Sequence, residues 1–168
     1  MIALGIDIGK VIIGDDTDGS SPAMFTQDYL KAAELPGAIE TIAWLNQESP
    51  FRGQVYLVSK CGENVQRKTL AWLAAKDFSK RTSIEDHKIR FCRERADKAS
   101  IARKLGLTHF VDDRLEILGY LAGVCTGGRF LFRGKEREIL KHLHHLSSVE
   151  CVESWEELKS KLGSVRAL

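Results

Sequence analysis

Cysteine is sparse in this chain: Cys61, Cys92, Cys125 and Cys151 stand far apart, with no CxxC pair. Disulfide scaffolds are short and cysteine-dense, so reduced thiols and a cytoplasmic setting are expected. Long hydrophobic runs are missing as well. No apolar stretch approaches the roughly 18 to 20 residues that span a bilayer. The apolar opening "MIALGIDIGKVII" lacks a basic flank and is interrupted by Asp7, so it reads as a first strand and not as a secretion signal. No membrane partner is expected. Charge is nearly balanced, at a formal +2, which argues against general nucleic-acid binding by bulk charge. The stretch 60–104 is more basic, with Arg90, Arg93, Arg95 and Lys98 close together. It reads either as solvated helix faces or as a positive field over a phosphate site.

Several chemical signatures are absent. There is no GxGxxG for a dinucleotide, no GxSxG elbow for a serine hydrolase and no GxxxxGK[ST] phosphate loop. "HLHH" (His142, His144, His145) lacks the usual zinc-ligand spacing and reads as histidines on a surface helix. "DDTDG" lacks the register and the closing glutamate of a calcium loop.

What remains is ordinary for a globular protein: 168 residues, 43% hydrophobic and 29% charged. One domain covering 1–168 is expected, large enough to bury a core without staples. Short apolar runs alternate with helical patterns. Strands are expected at "IALGID", "QVYLVS", "KIRFCRE", "THFVDD", "GRFLFRG" and "VECVES". Helices are expected between and after them, at "LPGAIETIAWLNQ", "ENVQRKTLAWLAAKDF", "DKASIARKLG", "RLEILGYLAG", "KEREILKHLHHL" and "WEELKSKLG". Pro36 fits a first helical turn. Asp97 and Ser154 are expected N-caps, and Gly106 a helix stop. A loose hairpin is expected around Thr17 to Ser20. Strands alternating with helices imply βα units: a three-layer α/β/α, Rossmann-like, mainly parallel sheet.

Binding sites in such sheets lie at the carboxyl ends of the strands. There stand Asp7, then Ser59 followed by Lys60, then Lys98 just beyond the third strand, and the pair Asp112 and Asp113. Taken singly, each has a plain explanation: a strand-end cap, a turn residue, a solvated lysine. Adjacent carboxylates are harder to dismiss, because they repel unless water or a cation relieves them. Together, three carboxylates, a hydroxyl and one or two ammonium groups suit a hard cation and a phosphoryl group. Asp7 and Asp112 could hold magnesium, and a carboxylate can also attack phosphorus.

In these residues the chain resembles the haloacid dehalogenase-like (HAD) superfamily of phosphatases and phosphotransferases. "LGIDIGKVI" is similar to its first motif, "VYLVSK" to the second, Lys98 in "ADKASIARKLGL" to the third and "HFVDDRLEIL" to the fourth. The order and intervening βα units agree over nearly the whole chain. The resemblance implies that Asp7 is the nucleophile and a magnesium ligand, with the backbone carbonyl of Gly9 also on the metal. Ser59 and Lys60 would hold the phosphoryl oxygens. Lys98 would steady Asp7 and the transferred group. Asp112 would bind magnesium, with Asp113 bound through water or orienting the ligands. It also implies a small flap after strand one, no large cap, and an open site for a phosphorylated, large substrate. Phosphate ends of nucleic acids or nucleotides are a weaker expectation, resting on the basic stretch.

One position departs from the pattern. Phosphatases of this superfamily carry DxD in the first motif, where the second aspartate protonates the leaving oxygen and activates water; here that slot is Gly9. General acid–base help is worth typically about 10²- to 10⁴-fold. The expectation is therefore a slow phosphohydrolase, or one assisted by Lys10, Asp15, Asp16 or Asp18, or one whose leaving group needs little protonation. The alternative is an impaired, non-enzymatic protein that binds phosphate or magnesium.

Overall fold

The computed structural model describes residues 1–14 and 23–166. The hairpin expected at Thr17 to Ser20, and Asp15, Asp16 and Asp18, lie outside the described residues. Six strands are described: β1 (Leu4–Ile6), β2 (Val55–Lys60), β3 (Ile89–Cys92), β4 (His109–Asp112), β5 (Gly128–Phe132) and β6 (Glu150–Val152). They form one sheet in the order β3-β2-β1-β4-β5-β6, and neighbouring strands pair in parallel. Among the described residues, seven α-helices flank it: α1 (Ala38–Gln47), α2 (Glu63–Ala75), α3 (Phe78–Thr82), α4 (Asp97–Leu105), α5 (Leu115–Tyr120), α6 (Glu136–Lys141) and α7 (Trp155–Gly163). This is the expected α/β/α, Rossmann-like architecture.

Side-chain alternation along the strands builds two separate cores. Leu4, Ile6, Leu57, Val111, Phe130 and Phe132 pack with α1, α2, α3 and α7 on one face. Ala3, Val58, Phe110 and Leu131 pack with α4 and α5 on the other. β1 is tightest at its centre: a Cβ on Gly5 would sit 2.5 Å from ring carbons of Phe110.

Strand order runs outward from β1 to β3 on one side and from β4 to β6 on the other. The reversal falls between β1 and β4, where open α/β sheets form a crevice at the strands' carboxyl ends. The chain after β1 returns on itself: Leu35 N donates to Ile12 O (2.8 Å) and Gly14 N to Ala33 O (2.9 Å), pairing the arms of the excursion at its base. Two buried indoles hold this region. Trp72 Nε1 donates to Ala32 O at 2.8 Å and Trp155 Nε1 to Val11 O at 2.7 Å.

Local signals held unevenly. Ser154 caps α7, its hydroxyl accepting from Glu157 N at 3.1 Å, and Gly106 ends α4 in the left-handed region at φ 65°. Asp97 is instead the first helical residue of α4, and its carboxylate accepts from Glu94 N at 3.1 Å. Pro36 precedes Gly37, whose φ of 75° opens α1, so the proline stands outside the helix. The helix expected over 135–146 stops at Lys141, and Leu143–Ser148 continues as tighter turns. No residue of α6 is buried; a short helix without a buried apolar face has little to sustain it. His144 and His145 therefore stand on these turns, and His142 caps the end of α6.

Candidate functional site

The site is built by register and alternation. Ile6 pairs with Val111, and Asp7 N donates to Val111 O at 3.0 Å, so Asp7 emerges beside Asp112. Asp112 shares the parity of Phe110, which points it toward the α4 layer. From the first turn of α4, Lys98 enters between the two carboxylates. Its ammonium donates to Asp7 Oδ1 at 2.9 Å and to Asp112 Oδ2 at 2.7 Å. The lysine side chain is 1% exposed and Asp112 is fully buried, so both lie beneath the surface of the site. Asp112 Oδ1 accepts from Arg114 N at 3.0 Å, which fixes the carboxylate plane.

Asp7, Asp112 and Asp113 each bring one oxygen within 4.8 Å of the others. The ammonium of Lys98 lies between two of these three carboxylates, and Lys10 and Arg114 are near enough to act on Asp113. Burial raises the Asp112 carboxyl to about 8, against the pull of Lys98, with Asp7 and Asp113 adding to the rise. Burial likewise raises Asp113 to about 6, Asp7 adding to it and Lys10 and Arg114 opposing it. For Lys98, burial alone would disfavour the charge, but ion pairs with Asp112 and then Asp7 outweigh it and raise the pKa. A hard, oxygen-only donor set of three clustered carboxylates fits a divalent cation such as magnesium.

Above the carboxylates opens a cavity of about 370 Å³, within the size range of small-molecule sites. Asp7, Gly9, Ser59, Lys60 and Asp113 line it. So the structure brings the sequence-selected residues together, with Lys98 and Asp112 as the layer underneath. Lys10 also lines the cavity. Gly9 is unconstrained: a Cβ there meets nothing within 4 Å, and its φ is not in the left-handed region.

Other walls of the cavity had weak sequence signals or none. Met24 and Phe25, from the excursion after β1, and Val65 of α2 line one side; nothing in their local pattern marks them. Arg95 and Arg114 line it as well. Arg95 belonged to the basic stretch, but its orientation comes from Glu116, whose Oε2 accepts from Nη1 at 2.9 Å. Glu116 Oε1 in turn accepts from the Tyr120 hydroxyl at 3.1 Å. Glu116, Glu138 and His142 form a second cluster with metal-like spacing. Its carboxylates are already engaged: Glu138 accepts from Leu115 N and Glu116 N at 2.9 Å each and caps α5.

Sheet order and the crevice at the β1–β4 junction define a Rossmann-like α/β fold. Among solved structures, the chain matches the crystal structure of D,D-heptose 1,7-bisphosphate phosphatase from Burkholderia thailandensis. The TM-score is 0.55 at 16% identity, covering 98% of this chain and 100% of that one. The likeness is one of fold. Among curated proteins, 94 residues are 30% identical to tissue alpha-L-fucosidase of Rattus norvegicus; they make up 55% of this chain and 20% of that protein. The chain thus spans about a fifth of that relative's length. No family model matches.

Proposed function

We propose that this chain is a magnesium-dependent phosphohydrolase acting through an aspartyl-phosphate on Asp7. The observation that carries the reading is the Asp7–Lys98–Asp112 ion-paired triad, with Asp113 beside it at the crevice. The structural neighbour is a phosphatase, which agrees with it. Asp7, Asp112, Asp113 and the backbone carbonyl of Gly9 would hold magnesium, which when bound polarises the phosphoryl oxygens and offsets their charge. Asp7 presents its free oxygen to phosphorus while Lys98 holds the other. Ser59 and Lys60 at the end of β2 take the non-bridging oxygens. Since Lys98 is buried against two carboxylates, its part is to position Asp7, and it need not reach the substrate.

Loss of the nucleophile is the decisive test. Asp7→Asn should reduce phosphate release from a phosphomonoester panel by at least about 10³-fold, with the folded state intact by circular dichroism. Full magnesium-dependent turnover in Asp7→Asn would remove the assignment.

Gly9 favours a second reading, a non-catalytic protein that binds phosphate or magnesium. It expects no turnover on the panel but measurable affinity by calorimetry. Gly9→Asp separates the two, since the site has room for the carboxylate. A large gain of activity from a silent parent would mean that only the acid was missing. A large phosphorylated substrate belongs to the same proposal. Phosphorylated nucleic-acid ends would show as oligonucleotide binding at low salt, where the phosphate contribution is strongest; no binding there excludes them.

A further inference from the structure

Two features of the cavity concern the leaving group. The position two residues beyond Asp7 has no proton to give, although backbone and space would both admit a side chain there. One wall is apolar and ends in an exposed aromatic ring: Phe25 is 65% exposed at the cavity, backed by buried Met24 and half-buried Val65. This wall is held in place. The segment Ala23–Phe25 packs on α2. The buried Lys68 of α2 donates from Nζ to Thr26 O at 2.8 Å, directly after Phe25. The same ammonium lies 5.4 Å from the centre of the Tyr29 ring. Six residues beyond Thr26, Ala32 O is anchored by the Trp72 indole. A solvent-facing phenylalanine on a clamped segment at the mouth of a charged site is a stacking surface.

We propose that the site takes phosphomonoesters of aromatic hydroxyls, with Phe25 as the residue that selects them. The inference rests on the phosphohydrolase reading above and names its substrate class. The chemistry agrees with the wall. An Asp7 oxygen bonds to phosphorus as the bond to the aryl oxygen breaks, and the electron pair leaves on the aryloxide. A phenol has a pKa of about 10, so the aryloxide departs unprotonated and takes its proton from water. An alkoxide, the base of an acid about as weak as water at roughly 15.7, needs a proton during bond breaking, and Gly9 supplies none. Water then attacks the phosphorus of the aspartyl-phosphate. The bond to Asp7 breaks, the carboxylate is restored, and the water's protons go to the released phosphate and to solvent. The ring meanwhile lies against Phe25, Met24 and Val65.

Phenyl phosphate and cyclohexyl phosphate have the same size and differ in leaving-group acidity and planarity. The intact chain with magnesium should favour phenyl phosphate by at least about 10²-fold in kcat/KM, the low end of what general-acid help supplies. Phe25→Ala should lower the phenyl preference about three- to tenfold, the range of one ring–ring contact. Gly9→Asp should shrink the gap by raising cyclohexyl turnover. Calorimetry with phenylphosphonate and cyclohexylphosphonate, which cannot be hydrolysed, reads the wall without turnover. Equal turnover of the two esters, or an unchanged preference in Phe25→Ala, overturns this inference and leaves the phosphohydrolase reading standing. No turnover of either ester, with phenylphosphonate still preferred and the preference lost in Phe25→Ala, overturns the phosphohydrolase reading and upholds the aromatic wall. No turnover and no preference between the phosphonates overturns both.

Discussion

At the scale of single residues, the site is a charge problem solved by burial. Lys98 joins two carboxylates that would otherwise repel across the β1–β4 junction. Replacing it by methionine keeps volume but removes the buried partner that both carboxylates share, a change that costs on the order of 3–5 kcal/mol. Urea unfolding of Lys98→Met at pH 7 measures it, and added magnesium should recover part of the loss. A second prediction concerns pH. Asp112 and Asp113 hold their protons more tightly when folded, up to about 8 and about 6, than in the unfolded chain, near 4. Between those values the folded state binds more protons than the unfolded one, so the contribution of these two groups to stability is fully present below about pH 4 and is lost as pH rises through about 6 and about 8. This holds for the metal-free protein. A divalent cation replaces those protons, so its stabilising effect should grow over the same interval. Thermal unfolding in chelator and in magnesium, at pH 5 and pH 8, checks this; an equal magnesium shift at both pH values would contradict it.

At the scale of elements, the central strand is the sensitive part. β1 has three residues, yet it carries Asp7 and lies between β2 and β4. Gly5 lets the Phe110 ring cross the strand, and Gly5→Ala would force the ring or the strand to move. Such overpacking costs typically about 1–3 kcal/mol. Because the same strand sets the separation of Asp7 from Asp112, turnover should fall along with the midpoint of denaturation. An alanine variant with unchanged stability would show that β1 yields more readily than its packing implies. The helix ends carry smaller effects: Ser154→Ala, which removes the cap on α7, should cost about 1 kcal/mol and leave the distant carboxylates in place.

At the scale of the whole molecule, the two cores share one sheet, which should make them unfold together. Trp72 and Trp155 are both fully buried in the face formed with α1, α2, α3 and α7, whereas far-ultraviolet circular dichroism averages over both faces. If residues 1–168 form one cooperative unit, tryptophan fluorescence and circular dichroism should give the same denaturation midpoint. Separate midpoints would mean that the α4 and α5 side melts by itself. Among the described residues no helix is long and apolar enough to cross a membrane.

The alternation of apolar strands with amphipathic helices, and the polar residue at each strand end, were legible in the chain itself. Burial on both faces of a parallel strand is a local pattern, and a charge that ends such a run stands out against it. Asp7, Ser59 and the Asp112–Asp113 pair could therefore be picked out before any contact was known. Tertiary structure decided which of these ends become neighbours. The order β3-β2-β1-β4-β5-β6 brings Asp7 beside Asp112 and lets Lys98, 91 residues away in sequence, sit between them. It also decided what faces the cavity from elsewhere: Phe25 on its clamped segment, and Arg95 turned by Glu116. Those placements depend on packing between distant segments, for which local periodicity holds no record. The glycine at position 9 belongs to both: the sequence shows the missing carboxylate, and only the fold shows that the position has room for a side chain.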